Sequence, residues 1–368
     1  MNLRIPGPTP LPDNVLAAMK RQMINHRGPE FARVIDEVTR ELKYFFQTEN
    51  DLLILTASGT GAMEAAVVNT LSPGERVMAI SIGNFGDRFA EIARRFGLDV
   101  VKVEFPAGQA AEPDEIARRL DADPAITSVL LTHNETSTGV TNDLEALARE
   151  IKARDKLLIV DAISSVGSIE VKSDEWHLDV VLSGSQKGWM APPGLAFATM
   201  SPLAWERHQK ATIPRMYWDF TAAKKYLEHG ETPWTPAITV FYALQTSLAM
   251  LRKEGRDAVF ARHARVAAHC RAGVHSLGLK LFADPKHASN TVTAFYTPEG
   301  VNSRDIAKKL EDEFDTVVAI GQGATTTTTM RIGHLGWCSE QDIDAVIDAL
   351  GKCLNRAPSR PVGAQHTA

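Results

Sequence analysis

Apolar residues in this chain gather into short continuous runs, and between the runs they recur at helical spacing. Leu52–Thr56, Val77–Ile82, Val100–Phe105, Val129–Leu131, Leu157–Val160 and Leu178–Leu182 read as buried strands. Ala62, Met63, Ala66, Val67 and Leu71 mark one intervening helix, and Phe89–Phe96 mark another. This alternation continues to about Leu251 and predicts an α/β fold with a mainly parallel sheet, covered by helices on both faces. Arg252–Gly278 reads as one long helix whose many Arg and His residues lie on a solvated polar face. Beyond it, Asn290–Tyr296, Val317–Ile320 and Thr329–Ile332 read as short strands between helices at Ser303–Glu313 and Glu340–Asn355. They suit a smaller C-terminal α/β domain. The expected division is an N-terminal arm at 1–15, Pro-rich through Pro12, a large domain at 16–254 and a small domain at 255–368. The tail from Ala357 is expected to fray.

The candidate chemistry lies where the apolar runs end. The strand Leu178–Leu182 delivers Lys187 in SGSQKG, a loop of small residues before Pro192-Pro193-Gly194. A solvated ammonium is the plain alternative, but a lysine in a partly desolvated pocket becomes nucleophilic and can form a Schiff base. Ser58-Gly59-Thr60-Gly61 joins strand Leu52–Thr56 to a helix. It can serve as a phosphate cradle or simply as an N-cap with a tight turn. It lacks the Gly-Lys-Ser/Thr ending of a nucleotide P-loop and the full dinucleotide fingerprint. Asp161, after Leu157–Val160, either points into the ligand crevice outside the strand ends or caps the next helix. Facing a pyridine nitrogen, this acid would keep the ring protonated. The hydroxyls of Thr132-His133-Asn134-Glu135-Thr136-Ser137-Thr138-Gly139 offer further ligand contacts; its Asn134-Glu135-Thr136 glycosylation pattern is discounted. A lysine, an acid and a phosphate cradle together suit pyridoxal 5'-phosphate.

SGTG, GNFG, THNETSTG, VDAISSVG, SGSQKGxxxPPG and RIGHLG occur in an order and spacing that resembles class V, fold-type I pyridoxal-phosphate aminotransferases. The likeness is to the alanine/serine–glyoxylate (serine–pyruvate) branch and runs from Pro6 to about Leu350. The resemblance implies that Lys187 carries the cofactor as a Schiff base, Asp161 pairs with its ring nitrogen, and Ser58, Gly59 and Thr60 hold its phosphate. It places Thr136 and Gln186 near the ring oxygen and phosphate, and Arg331 on the substrate carboxylate with Gly7 beside the substrate. Thr235 matches a residue that reaches the phosphate from a neighbouring subunit, which implies a homodimer. Phe85 stands where relatives often carry Trp over the ring, and Thr232 where some carry Tyr near the phosphate.

Arg331 also stands on its own chemistry, because a guanidinium matches a carboxylate with two parallel hydrogen bonds. Its apolar flanks and two nearby glycines predict a constrained, partly buried position. The 368 residues, 44% hydrophobic and 23% charged, suffice for two domains and a sizeable core. A net charge of −5 gives no basic footprint for nucleic acid or an anionic membrane. No apolar stretch is long enough to cross a bilayer, the start MNLRIPGPTP is neither signal nor transit peptide, and the three cysteines lack metal spacing. A cytoplasmic location is expected. The reading is therefore an aminotransferase moving an amino group from alanine or serine to glyoxylate or pyruvate, with no metal. Kept beside it are a dicarboxylate transaminase, with Arg215 as the missing cation, a cysteine desulfurase or lyase, and a non-catalytic cofactor-binding subunit. The missing fingerprint disfavours a nicotinamide dehydrogenase.

Overall fold

The apolar runs of the first half pair into one seven-stranded sheet in the computed structural model, which describes residues 1–357. Across it lie Asp51–Leu55, Ala196–Met200, Val180–Gly184, Leu157–Asp161, Ser128–Thr132, Arg76–Ser81 and Asp99–Glu104. From Val180–Gly184 to Asp99–Glu104 every neighbour is parallel. Ala196–Met200 is antiparallel to both of its neighbours, so Asp51–Leu55 still points the same way as the parallel set. This antiparallel strand was not anticipated: its apolar run follows a Pro-Pro-Gly turn, and nothing local tells where in the sheet it inserts.

The inner strands are mostly apolar because both of their faces are covered, whereas the edge strand Asp99–Glu104 carries Lys102 and is largely unburied. Leu158 and Val160 belong to one core, packed by helices Pro29–Phe46, Leu144–Lys152 and Ile238–Glu254. Leu157 and Ile159 face the other, packed by Gly59–Thr70, Asn84–Arg95 and Pro202–Lys210.

A second sheet orders Asn2–Arg4, Thr316–Ile320, Thr329–Gly333 and Val292–Tyr296. The first residues of the chain thus form an edge strand, parallel to Thr316–Ile320, and Met1 pairs with Asp315. The segment that follows crosses back to the large sheet, where Thr9 donates its N–H to the Gln186 carbonyl at 3.2 Å. Helices Arg256–Ser276, Ser303–Phe314 and Glu340–Leu354 cover this sheet around Val266, Leu310 and Val346.

The expected single helix over Arg252–Gly278 is two. Ile238–Glu254 ends at Gly255, whose φ of 90° breaks the helix, and Arg256–Ser276 starts anew. Its histidines are not all solvated either. His263 is fully buried, accepts the Gly336 N–H on Nε2 at 3.0 Å, and is held neutral by burial, with its pKa down to about 3. The frayed tail expected from Ala357 lies almost wholly outside the described residues.

Candidate active site

The carboxyl ends of the large sheet converge on one crevice. Register aligns Thr132, Asp161 and Leu182 across three parallel strands, and Leu55 lies opposite Ala196, itself opposite Gly184. Asp161 ends its strand, and the segments leaving the strand ends carry Ser58, Phe85, Thr136 and Lys187, as the strand-end rule for open α/β sheets requires.

Lys187 is partly buried, and its Nζ donates to the Pro6 carbonyl. Burial pulls its pKa down to about 8, the Asp161 carboxylate resists, and the charges of Arg331 and Arg88 push in the direction of burial. Asp161 responds in the opposite sense. Burial, reinforced by Glu135, raises its pKa to about 6 against the Ile163 N–H at 3.0 Å, Lys187 and the Thr132 hydroxyl. Gly7 packs against the lysine: a Cβ there would stand 2.7 Å from Nζ, and the backbone is at φ +125°.

The residues present fit a phosphate ester. Ser58 caps helix Gly59–Thr70 by accepting the Gly61 N–H at 3.3 Å, and the N–H groups of Gly59 and Thr60 have no intrahelical acceptor. A Cβ on Gly184 would fall 3.0 Å from Gln186 Oε1 and 3.5 Å from the Gly59 nitrogen, so amide and helix start border the same space. Gln186 Oε1 is buried without a hydrogen-bond partner. Turned end for end, that amide presents an N–H into the cradle. Gly59 admits no side chain, since a Cβ would meet Ile163 Cδ1 at 2.6 Å.

Glu135 was missed as a site residue. It is fully buried, and its Oε2 accepts the N–H groups of Phe85 at 3.0 Å and Gly86 at 3.1 Å. Its Oε1 accepts the Ser137 N–H at 3.0 Å and hydroxyl at 2.5 Å, while burial raises its pKa. One carboxylate therefore pins the start of helix Asn84–Arg95, with Phe85 on it, to the THNETSTG loop. The signal was an acid opposite a helix start far away in sequence, which local reading cannot pair. Thr136 donates its hydroxyl to Ser164 at 2.9 Å and lends its carbonyl to Arg331. Asn134, the acceptor of the discounted glycosylation pattern, is buried.

Arg331 is 6% exposed, on strand Thr329–Gly333 of the second sheet. It gives Nε and NH2 to the Ile320 carbonyl at 3.0 and 2.8 Å and NH1 to the Thr136 carbonyl at 3.1 Å. These partners are neutral, and three of its five N–H bonds are used. Burial lowers its pKa to about 10.

Two threonines do not join this group within one chain. Thr232 donates its hydroxyl to the Trp234 carbonyl at 2.7 Å, and Thr235 is exposed with no hydrogen bond from its side chain among the described residues. Arg215 points elsewhere, giving NH1 to the carbonyls of Val68, Ala211 and Ile213 at 3.1–3.3 Å. Cys338 is buried and its thiol is pushed up to about 11, the reverse of an activated nucleophile. Among the described residues no three His, Cys, Asp or Glu side chains are grouped to hold a metal, and no helix is long and apolar enough to cross a membrane.

A family model described as Aminotransferase class-V matches residues 1–346. The soluble hydrogenase small subunit of Synechococcus sp. (strain PCC 6716) is 45% identical, over 96% of this chain and 92% of its own. L-aspartate–glyoxylate aminotransferase of Paracoccus denitrificans is 39% identical over 90% of this chain and 85% of its own. The crystal structure of an alanine–glyoxylate aminotransferase from Nostoc sp. matches with a TM-score of 0.92 and 30% identity, over 96% of this chain and 94% of that one. In sequence, in fold-type I architecture and in its need for pyridoxal phosphate, the chain belongs to the class V aminotransferases.

Proposed function

We propose that the enzyme moves an amino group from alanine or serine to glyoxylate or pyruvate, with pyridoxal phosphate held on Lys187. The observation that carries this reading is Arg331: a buried guanidinium with only neutral partners, near enough to Lys187 to lower its pKa. Two free N–H groups, on a charge that the Glu135 carboxylate acts on from a distance and no carboxylate bonds, call for an anion, and a substrate carboxylate is planar in the same way.

When bound, the cofactor supplies a ring that withdraws the electrons left as the substrate's Cα–H bond breaks. The rest falls to the protein. Asp161 would hold the proton on the ring nitrogen, Ser58 to Thr60 and Gln186 would take the phosphate, and Phe85 would cover the ring. Arg331 fixes the carboxylate so that the Cα hydrogen faces Lys187. Once the substrate's amino group has taken its place, the freed Lys187 Nζ, made easier to deprotonate by burial, would accept that proton and hold it for return; with the second substrate the transfer would run in reverse. Gly7 keeps the space at Nζ open.

Small substrates follow from charge. Arg215 bonds the Val68 carbonyl near the far end of helix Gly59–Thr70, away from the helix start that borders the crevice, and a distal carboxylate buried without a partner costs several kcal/mol. The reading includes a cytoplasmic homodimer in which Thr235, with Thr232 behind it, meets the phosphate of the neighbouring subunit. The hydrogenase-subunit relative is the reason to keep a non-catalytic role in the test, and the aspartate–glyoxylate relative a dicarboxylate donor. The experiment is kcat/KM of the cofactor-loaded protein for alanine, serine and aspartate against glyoxylate, pyruvate, oxaloacetate and 2-oxoglutarate. Glyoxylate or pyruvate should lead; preference for a dicarboxylate overturns the substrate assignment, and no turnover overturns the activity. Arg331→Ala should lower kcat/KM by about 30- to 1000-fold, mainly through KM, with the cofactor's absorption band intact.

A further inference from the structure

Arg88 is a cation without a counter-ion at the mouth of the crevice. It lies in helix Asn84–Arg95, one turn after Phe85, and its guanidinium sits over the Phe85 ring at 4.7 Å from the centroid. Its NH1 donates to the Thr60 hydroxyl at 3.2 Å. No carboxylate lies within ion-pair distance of it among the described residues, although its helix neighbour Glu91 is acidic; Glu91 is bonded to Arg95 at 2.8 Å. A flexible arginine held by one aromatic face and one hydroxyl, beside a helix start with free N–H groups, is arranged for an anion there.

We propose that Arg88 is a cofactor-binding residue that contacts the phosphate held by Ser58 to Thr60. This rests on the phosphate cradle of the proposed function. Held over Phe85, the guanidinium gives one N–H to Thr60, which leaves four of its five N–H bonds for an anion at the helix start. It also links the two halves of the cofactor's enclosure, since Phe85 faces the ring and Thr60 the phosphate. The same charge already acts on Lys187, lowering its pKa, which places it within electrostatic range of the reacting amine.

The test compares pyridoxal 5'-phosphate with pyridoxal, which lacks the phosphate, by equilibrium titration of the cofactor-free protein and its absorbance change. The wild type should bind the phosphorylated form far more tightly. In Arg88→Ala and Arg88→Gln that preference should shrink by roughly tenfold or more, with pyridoxal binding unchanged. Arg88→Lys, which keeps the charge, should retain most of it. An undiminished preference in both neutral variants overturns the role of Arg88 alone. A wild type with no preference for the phosphorylated form instead overturns the cradle at Ser58 to Thr60. If the neutral variants keep the preference but lose kcat/KM for aspartate and oxaloacetate, the arginine serves a substrate carboxylate and the inference fails.

Discussion

Asp161 is buried and Lys187 partly so, close enough that each acts on the other's charge. Without cofactor, Asp161 titrates near 6 and Lys187 near 8, both displaced by burial toward their neutral forms. Attachment through Nζ needs the neutral amine, and holding a protonated ring nitrogen needs the carboxylate. Cofactor affinity should therefore weaken as pH falls below about 8 and weaken more steeply below about 6, where Asp161 takes up a proton. Asp161→Asn should remove the second bend and move the first to lower pH, because the carboxylate raises the Lys187 pKa; a wild-type titration with no steepening between pH 7 and 5 shows that Asp161 does not face the ring nitrogen. That both would border one crevice was legible in sequence, because Asp161 ends one apolar strand, Lys187 lies in the loop after another, and strand ends in a parallel sheet open on one crevice. Arg331 was legible from its chemistry and flanks. Glu135 and Arg88 were not, because their meaning depends on partners brought from distant loops, Phe85 and Ser137 for one and Thr60 for the other.

Among the elements, the one that changes most between sequence and structure is the N-terminal arm. Its first residues complete the small sheet, and Pro6 and Gly7 then close over Lys187. A three-residue edge strand carries too little periodicity to be read locally, and its partner lies at Thr316–Ile320. The strand alternation of the large sheet was readable because runs buried on both faces are apolar without interruption. Helix continuity past Gly255 was misread for the opposite reason, since a lone glycine is tolerated inside helices and only its positive φ here makes a break. The arm also yields a prediction. Alanine at Gly7 would need a φ of +125° that L-residues avoid, and its methyl would displace the lysine tip. Gly7→Ala should lower stability by about 1–3 kcal/mol and reduce kcat together with the fraction of cofactor joined to Lys187. Heat denaturation and the cofactor's absorbance would record both, and a variant with full attachment and kcat would free Gly7 of any part in the site.

At the scale of the whole molecule, one chain gathers Lys187, Asp161, Arg331 and the helix start at Ser58 to Thr60, but Thr235 stays on the surface, exposed and with no side-chain hydrogen bond among the described residues. The sequence could not say where Thr235 goes, because a subunit contact leaves no periodic signature in a loop. If Thr235 serves the neighbouring subunit, then each active site is built from two chains, and a two-fold dimer has two such sites. Two defective variants should then repair each other. Lys187→Ala removes the amine from its own chain's site, and Thr235→Asp sets a negative charge against the phosphate in its partner's. Each homodimer should be inactive, whereas a refolded or exchanged mixture forms hybrids in which one site keeps Lys187 from one chain and Thr235 from the other. Turnover should appear on mixing and rise with the hybrid fraction measured by native mass spectrometry. If hybrids form and stay inactive, Thr235 acts within its own subunit or not at all. If Thr235→Asp alone is fully active, no phosphate lies near it.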